Sequence, residues 1–365
     1  MRTSPIRELL AERGAVFGER AGAEIALAFG DVADEYRTVR SAVGLADFSF
    51  VTRHRVPEDG LDALERYAAG AVASIRFGRV LHTFAADDAG LLESDLYVAN
   101  DDENLLVLGE SLVDDGATAA ALEKVGAFEA GAEDLAESTA VLGLDGVNAW
   151  AVAQELFGSD VLGLPYLSVE TYELAGEEVK LLRAGKTSEF GYLLIVPAAR
   201  AADAWREIER AGEPHGLAPV GAEAHSVLRL DGRFFNIHEE GARVRDPLPL
   251  GLQWMIDLEG DDFVGRGPIL ERRAAGVDRK IIGVLADEPD LELAPGDALA
   301  CGGDAVAEVV TAAHSPTLER WIALALFDRA YAYSGLPIER GGRPARTISL
   351  PPFTAASLSV KLDEM

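Results

Sequence analysis

The residue types that most often do chemistry are few and scattered in this chain. Its six histidines, His54, His82, His215, His225, His238 and His314, are dispersed without the spacing that sets two imidazoles on one helical face to hold zinc. Neither HExxH nor GxxxxGK[ST] occurs, which removes the metalloprotease helix and the phosphate-cradling loop. The single cysteine, Cys301, can form no internal disulfide and no thiolate cluster. GLDGVNAWA at 143–151 lacks the third glycine and the downstream acid of a dinucleotide-binding turn. Chemistry must then rest on carboxylates, which stabilise a developing cation or hold a proton, and on arginine forks, which grip an anion. No metal is expected.

Charge narrows the partners. Asp and Glu number 62 against 33 Lys and Arg, a formal net charge of -29. Phosphate repels such a chain, so nucleic acid is not an expected partner. The acids are spread rather than gathered in a tail, and lysine occurs only at positions 124, 180, 186, 280 and 361. A hydrated acidic surface suits a cytoplasm of molar salt, where the Debye length is about 3 Å, and the sequence reads as that of an extreme halophile. With 365 residues, 48% of them hydrophobic, the chain should fold around more than one core. No run approaches the roughly 18 apolar residues of a membrane span. MRTSPIRELLAERG alternates charge with apolar residues, unlike a secretory signal, so a cytoplasmic location is expected.

Helices and strands alternate along the part of the chain that must position any site. A helical pattern runs through Ile6, Leu9 and Leu10 to Val16 and Phe17, punctuated by Gly14. Another starts at Asp31, with Val32, Tyr36 and Val39 on one face and Gly44 as its stop. Strands are predicted at 79–84, 91–98, 105–108, 138–142, 166–174, 179–183 and 192–196, and helices at 61–69, 116–125, 146–156, 198–211 and 221–228. The class is α+β. A loop and helix over 263–280 lead to short strands, KIIGVLA, AVAEVVTAA, WIALALF and ARTISL, parted by PGD, CGGD and GG turns. That tail predicts a small antiparallel barrel or sandwich.

Five stretches, in order, resemble the aminomethyltransferase family, whose best-known member is the T-protein of the glycine cleavage system. EYRTVRSAVGLADFS (35–49) is similar to EHxxVRxxxGxFDxS, and AGLLESDLYV (89–98) to GGxxDDLxV. RAGKTSEFGY (183–192) is similar to RTGYTGEDGF, and PVGAEAHSVLRLDG (219–232) to PxGLGARDxLRLEAG. SPTLERWIALA (315–325) and PPF (351–353) are similar to SPTLxxxIALA and LPFY. The resemblance implies a three-lobed folate-binding fold, with residues 1–277 as two lobes around a channel and 278–365 as a C-terminal antiparallel β-barrel. It implies transfer of an aminomethyl or methyl unit to or from the N5 region of tetrahydrofolate. A small-molecule one-carbon donor, a lipoyl carrier protein and a monomer or weak dimer complete that expectation.

On this resemblance Asp95 is the catalytic residue, its carboxylate stabilising an iminium-like cation and orienting the attacking nitrogen. Arg229 matches the arginine of LRL, whose fork suits the glutamate tail of folate or an acidic substrate. Tyr97, Val98, Asn100, Arg183, Glu189, Tyr192, Leu193 and Trp254 make up the rest of the implied binding set. The departures cluster in the pterin pocket: Lys186 replaces Tyr, Ser188 replaces Gly, Phe190 replaces Asp, and Leu193 replaces the carboxylate that reads the pterin edge. Leu81 aligns with the ring-stacking Tyr, and AHS replaces ARD ahead of Arg229. A divergent haloarchaeal paralogue is implied, with weak tetrahydrofolate binding unless Glu189, Glu223 or a backbone carbonyl supplies the acceptor. A folate-dependent O-, S- or N-demethylase and a non-enzymatic folate or small-acid binding module stay open. The absence of KGCxxGQE argues against the iron–sulfur-repair branch.

Overall fold

Alternation of side chains along the strands, with apolar residues on both faces, decides the architecture. In Leu92–Asn100, Leu96 and Val98 join one apolar cluster while Tyr97 and Ala99 join another. In Phe190–Pro197, Leu194 and Val196 face one way and Leu193 and Ile195 the other. Strands apolar on both faces must be covered twice. The computed structural model, which describes residues 1–101, 104–260 and 262–360, meets that demand by packing two sheets face to face with helices outside.

The first sheet orders Ser168–Leu174, Glu177–Arg183, Phe190–Pro197, Thr139–Gly146, Val43–Asp47 and Leu217–Pro219, antiparallel except for the last pair. Ala149–Phe157 and Ala201–Gly212 cover its outer face, where Trp205 is fully buried. The second sheet orders Val80–Ala86, Leu92–Asn100, Asn104–Ser111, Thr52–Pro57 and Glu133–Asp134, under helices Leu61–Tyr67 and Asp115–Lys124. Helix Arg266–Ala275 leads to a closed six-stranded antiparallel barrel formed by strands between Arg279 and Ile348. Among the described residues no helix is long and apolar enough to cross a membrane.

Two local expectations fail for identifiable reasons. Val16 and Phe17 do not extend a helix, because the helix ends at Glu12 and Gly14 adopts φ +86°. They open strand Val16–Arg20, which returns as Ala23–Ala28 through Ala21 and Gly22, both at positive φ as a two-residue hairpin turn requires. Gly44 does not stop the second helix. That helix ends at Ser41, and Gly44 lies inside Val43–Asp47, where a Cβ would fall 2.7 Å from Val220 and 2.9 Å from Val39.

Four of the five sequence stretches converge on one joint between the lobes. Asp231, fully buried, accepts hydrogen bonds from Tyr36 and Ser315 and pairs with Arg40 at 2.6 Å. Arg40 also pairs with Glu189, which accepts the backbone N–H of Ser357 at 2.9 Å. These residues tie the first sheet, the helix Ala222–Gly232 and the barrel side together.

Candidate active site

Asp95 and Glu110 are directly opposite each other on adjacent antiparallel strands, both on the face turned toward the first sheet. Two carboxylates in that register repel, and burial adds desolvation cost. Two cations offset both effects. Lys186, from the loop between Glu177–Arg183 and Phe190–Pro197, places Nζ 2.5 Å from Asp95 Oδ2 and 2.6 Å from Glu110 Oε1. Arg229, from the buried face of helix Ala222–Gly232, donates from one nitrogen to both Glu110 oxygens at 3.0 and 2.8 Å, and its other terminal nitrogen lies 3.6 Å from Asp95. His82 Nε2 holds Asp95 Oδ1 at 2.7 Å.

The electrostatics follow from this geometry. Burial is the largest influence on Asp95 and opposes its charge, yet Lys186 and His82 hold the carboxyl down to about 2. Glu110, also buried, lies well below the usual carboxylate range because Arg229 and Lys186 outweigh desolvation. Burial, aided by Arg229, pushes the His225 imidazole down to about 3, so it is neutral at physiological pH. Asp145 and Glu240 behave oppositely: burial raises each to about 7.

These carboxyls predict the pH dependence of stability. The raised pair binds more protons folded than unfolded between about pH 4 and 7, so each loses stability as pH rises through that window. The buried imidazoles of His225 and His238, held down to about 3 and about 4, act in the opposite sense below about pH 6.5, so the contribution of Asp145 is read by difference: the stability of Asp145→Asn relative to wild type should rise from pH 5 to pH 8 in thermal melts at constant salt. An unaltered slope in the variant would show that Asp145 ionises freely in the folded protein.

The cluster lines a cleft between the sheets that spans about 530 Å³ of unfilled space, part of it open solvent. Phe48, Val51, Leu108, Val141 and Leu193 form its apolar walls. The structure thus brings Asp95, Tyr97, Leu193 and Arg229 together on the cleft. Strand parity turns others away: Val98 faces the outer helices, and Tyr192 is buried in the outer core of the first sheet. Asn100 donates to the Ile75 carbonyl. Arg183 is bound to the Leu164 carbonyl beside Phe190, and Glu189 is held at the inter-lobe joint. Trp254 is 66% exposed, its ring 5.6 Å from that of His82. Leu81 packs outward, whereas His82 lies against Tyr97 at 4.7 Å between ring centroids, so the aromatic place on this strand is one residue later than the alignment suggests.

His82, Glu110 and Asp145 escape the sequence reading. Each lies in a strand whose pairing register, not its own sequence, brings Glu110 and Asp145 to the cleft and His82 to Asp95.

Two facing sheets, a barrel as third lobe and buried carboxylates lining the cleft are the three-lobed aminomethyltransferase fold. The chain belongs to the glycine cleavage T-protein family: the model of the GCVT N-terminal domain matches residues 6–260, and that of the glycine cleavage T-protein C-terminal barrel domain matches residues 279–354. The aminomethyltransferase of Streptomyces avermitilis is 30% identical over 349 residues, covering 93% of this chain and 94% of its own. That of Saccharopolyspora erythraea is 29% identical over 357 residues, covering 96% and 97%. The crystal structure of the glycine cleavage system aminomethyltransferase T from Bartonella henselae matches with a TM-score of 0.84 over 97% of this chain and 98% of that one. At 21% identity this last match is a likeness of fold.

Proposed function

We propose that this protein transfers a one-carbon unit, delivered as an aminomethyl group, to tetrahydrofolate, with Asp95 at the reacting centre. The observation that carries the reading is the Asp95 carboxylate, ionised, 2% exposed and lining an apolar cleft. The cleft suits a flat reduced pterin by its apolar walls and its buried acid groups. Tetrahydrofolate, when bound, supplies the N5 nitrogen that takes the carbon.

The chain's own residues supply charge and orientation. Asp95 carries a fixed negative charge where positive charge develops on the transferred carbon, in surroundings that exclude water. His82 holds one of its oxygens in place. The Lys186 ammonium lies against the other as an alkylammonium donor would, and its flexible stem lets it withdraw toward Glu110 when such a donor arrives.

The test is formation of methylenetetrahydrofolate and free ammonia from tetrahydrofolate and an aminomethylated lipoyl carrier. Absence of both products, with the protein folded and both substrates in excess, would remove the reading. The proposal includes a lipoyl carrier as donor and a cytoplasm of molar salt as the setting. The net charge of -29 must then be screened for the compact state to persist. The melting temperature followed by circular dichroism is expected to fall from molar potassium chloride to dilute buffer. A constant value would end the halophile reading.

A further inference from the structure

Leu193 cannot accept a hydrogen bond, and neither acid named as its substitute reaches the cleft. Glu189 is engaged by Arg40 and the Ser357 amide, and Glu223 lines a separate hollow with Arg20 and Glu239. Asp145 does reach it. Asp145 lies on Thr139–Gly146 directly opposite Gly191, hence on the face that Gly191 shares with Leu193, one side-chain step along.

Its surroundings are unusual for a buried acid. The residue is 4% exposed. Oδ1 accepts one long hydrogen bond from the Thr187 hydroxyl at 3.3 Å, and Oδ2 accepts none among the described residues. No lysine or arginine pairs with it among the described residues. Two glycines make the space: a Cβ on either Gly185 or Gly191 would fall 2.9 Å from Oδ1. Oδ2 keeps access to the cleft, so its hydrogen bonds are left for water or a ligand to complete.

We propose that Asp145 is the acceptor that reads the polar edge of the ligand, pairing its two oxygens with two adjacent N–H donors of the kind a reduced pterin presents at its ring nitrogen and exocyclic amino group. This rests on the folate reading of the cleft. It makes Asp145 the specificity residue of a pocket in which Leu193 provides only wall. The Thr187 hydroxyl touches the carboxyl, and the charges that act on it from a distance are Arg229 on helix Ala222–Gly232 and Arg40 on helix Val32–Ser41, with the Tyr166 phenol also coupled to it. With burial raising the acid to about 7, the empty site is partly protonated near neutrality. A ligand offering two donors selects the ionised form and releases the proton to solvent, so affinity should increase from pH 6 to pH 8.

Calorimetry at molar potassium chloride tests this with two probes, tetrahydrofolate and the bare ring 6-methyltetrahydropterin. Asp145→Asn keeps the shape but offers one acceptor and one donor, so both probes should bind at least about tenfold more weakly. Adding Leu193→Glu to that variant should restore most of the loss. Wild-type affinity should tighten severalfold between pH 6 and pH 8, an arm that needs no variant to fold. Equal binding by Asp145→Asn, a loss confined to tetrahydrofolate, or a flat wild-type profile would each overturn the proposal while leaving the folate reading standing. Failure of the wild type to bind either probe at millimolar concentration would remove the folate reading itself, and this proposal with it.

Discussion

Asp95→Asn is expected to lower the single-turnover rate of carbon transfer by about 10²-fold or more while the tetrahydrofolate dissociation constant changes little. Asparagine keeps the side-chain shape and can keep the contact with His82, but it carries no charge. The transferred carbon would become cationic beside a cluster whose remaining charges are Lys186, Arg229 and Glu110, a net positive set. Repulsion would then replace attraction at the step where charge develops. The surplus cation also strains folding, so the rate must be compared at equal folded fraction. Lys186→Met in the Asp95→Asn background removes that cation and should recover melting temperature without recovering rate. If Asp95→Asn turns over within a few fold of wild type, or if Lys186→Met restores its rate, the carboxylate is a structural counter-ion and the reacting centre is elsewhere.

The scaffold and the site were unequally legible in the sequence, and strand geometry explains the difference. Apolar residues with clear periods predict the helices, most strands and the barrel, because burial acts on residue type directly. Asp95 stands out through the motif around it. Its partners do not, because Glu110 becomes the neighbour of Asp95 only when two strands pair in one register. Alternation also explains the misplacements: of Tyr97 and Val98, and of Tyr192 and Leu193, one member of each pair must face away from the cleft. The motifs carrying Tyr36, Arg40, Glu189, Asp231 and Ser315 are legible for a reason other than ligand contact. They build the joint that fixes the lobes around the channel.

Arg229 offers the sharpest contrast between motif and geometry. A fork beside a ligand suggests contact with an anionic tail, but in the structure Glu110 takes two of its hydrogen bonds and the Phe235 carbonyl another. The guanidinium is buried, and it is the largest favourable influence on the charge of Glu110. Arg229→Met fills similar space while leaving Glu110 with Lys186 and the more distant His238, and breaking a buried pair from one side costs about 3–5 kcal/mol. Urea unfolding at matched salt should show a loss of that order, together with a rise in the Glu110 pKa that shifts acid unfolding to higher pH. Glu110→Gln added to Arg229→Met should return part of the stability, because the uncompensated carboxylate is then gone. A ligand-binding arginine would behave differently. If Arg229→Met unfolds within about 1 kcal/mol of wild type but binds tetrahydrofolate at least about tenfold more weakly, the fork serves the ligand and its pairing with Glu110 is secondary.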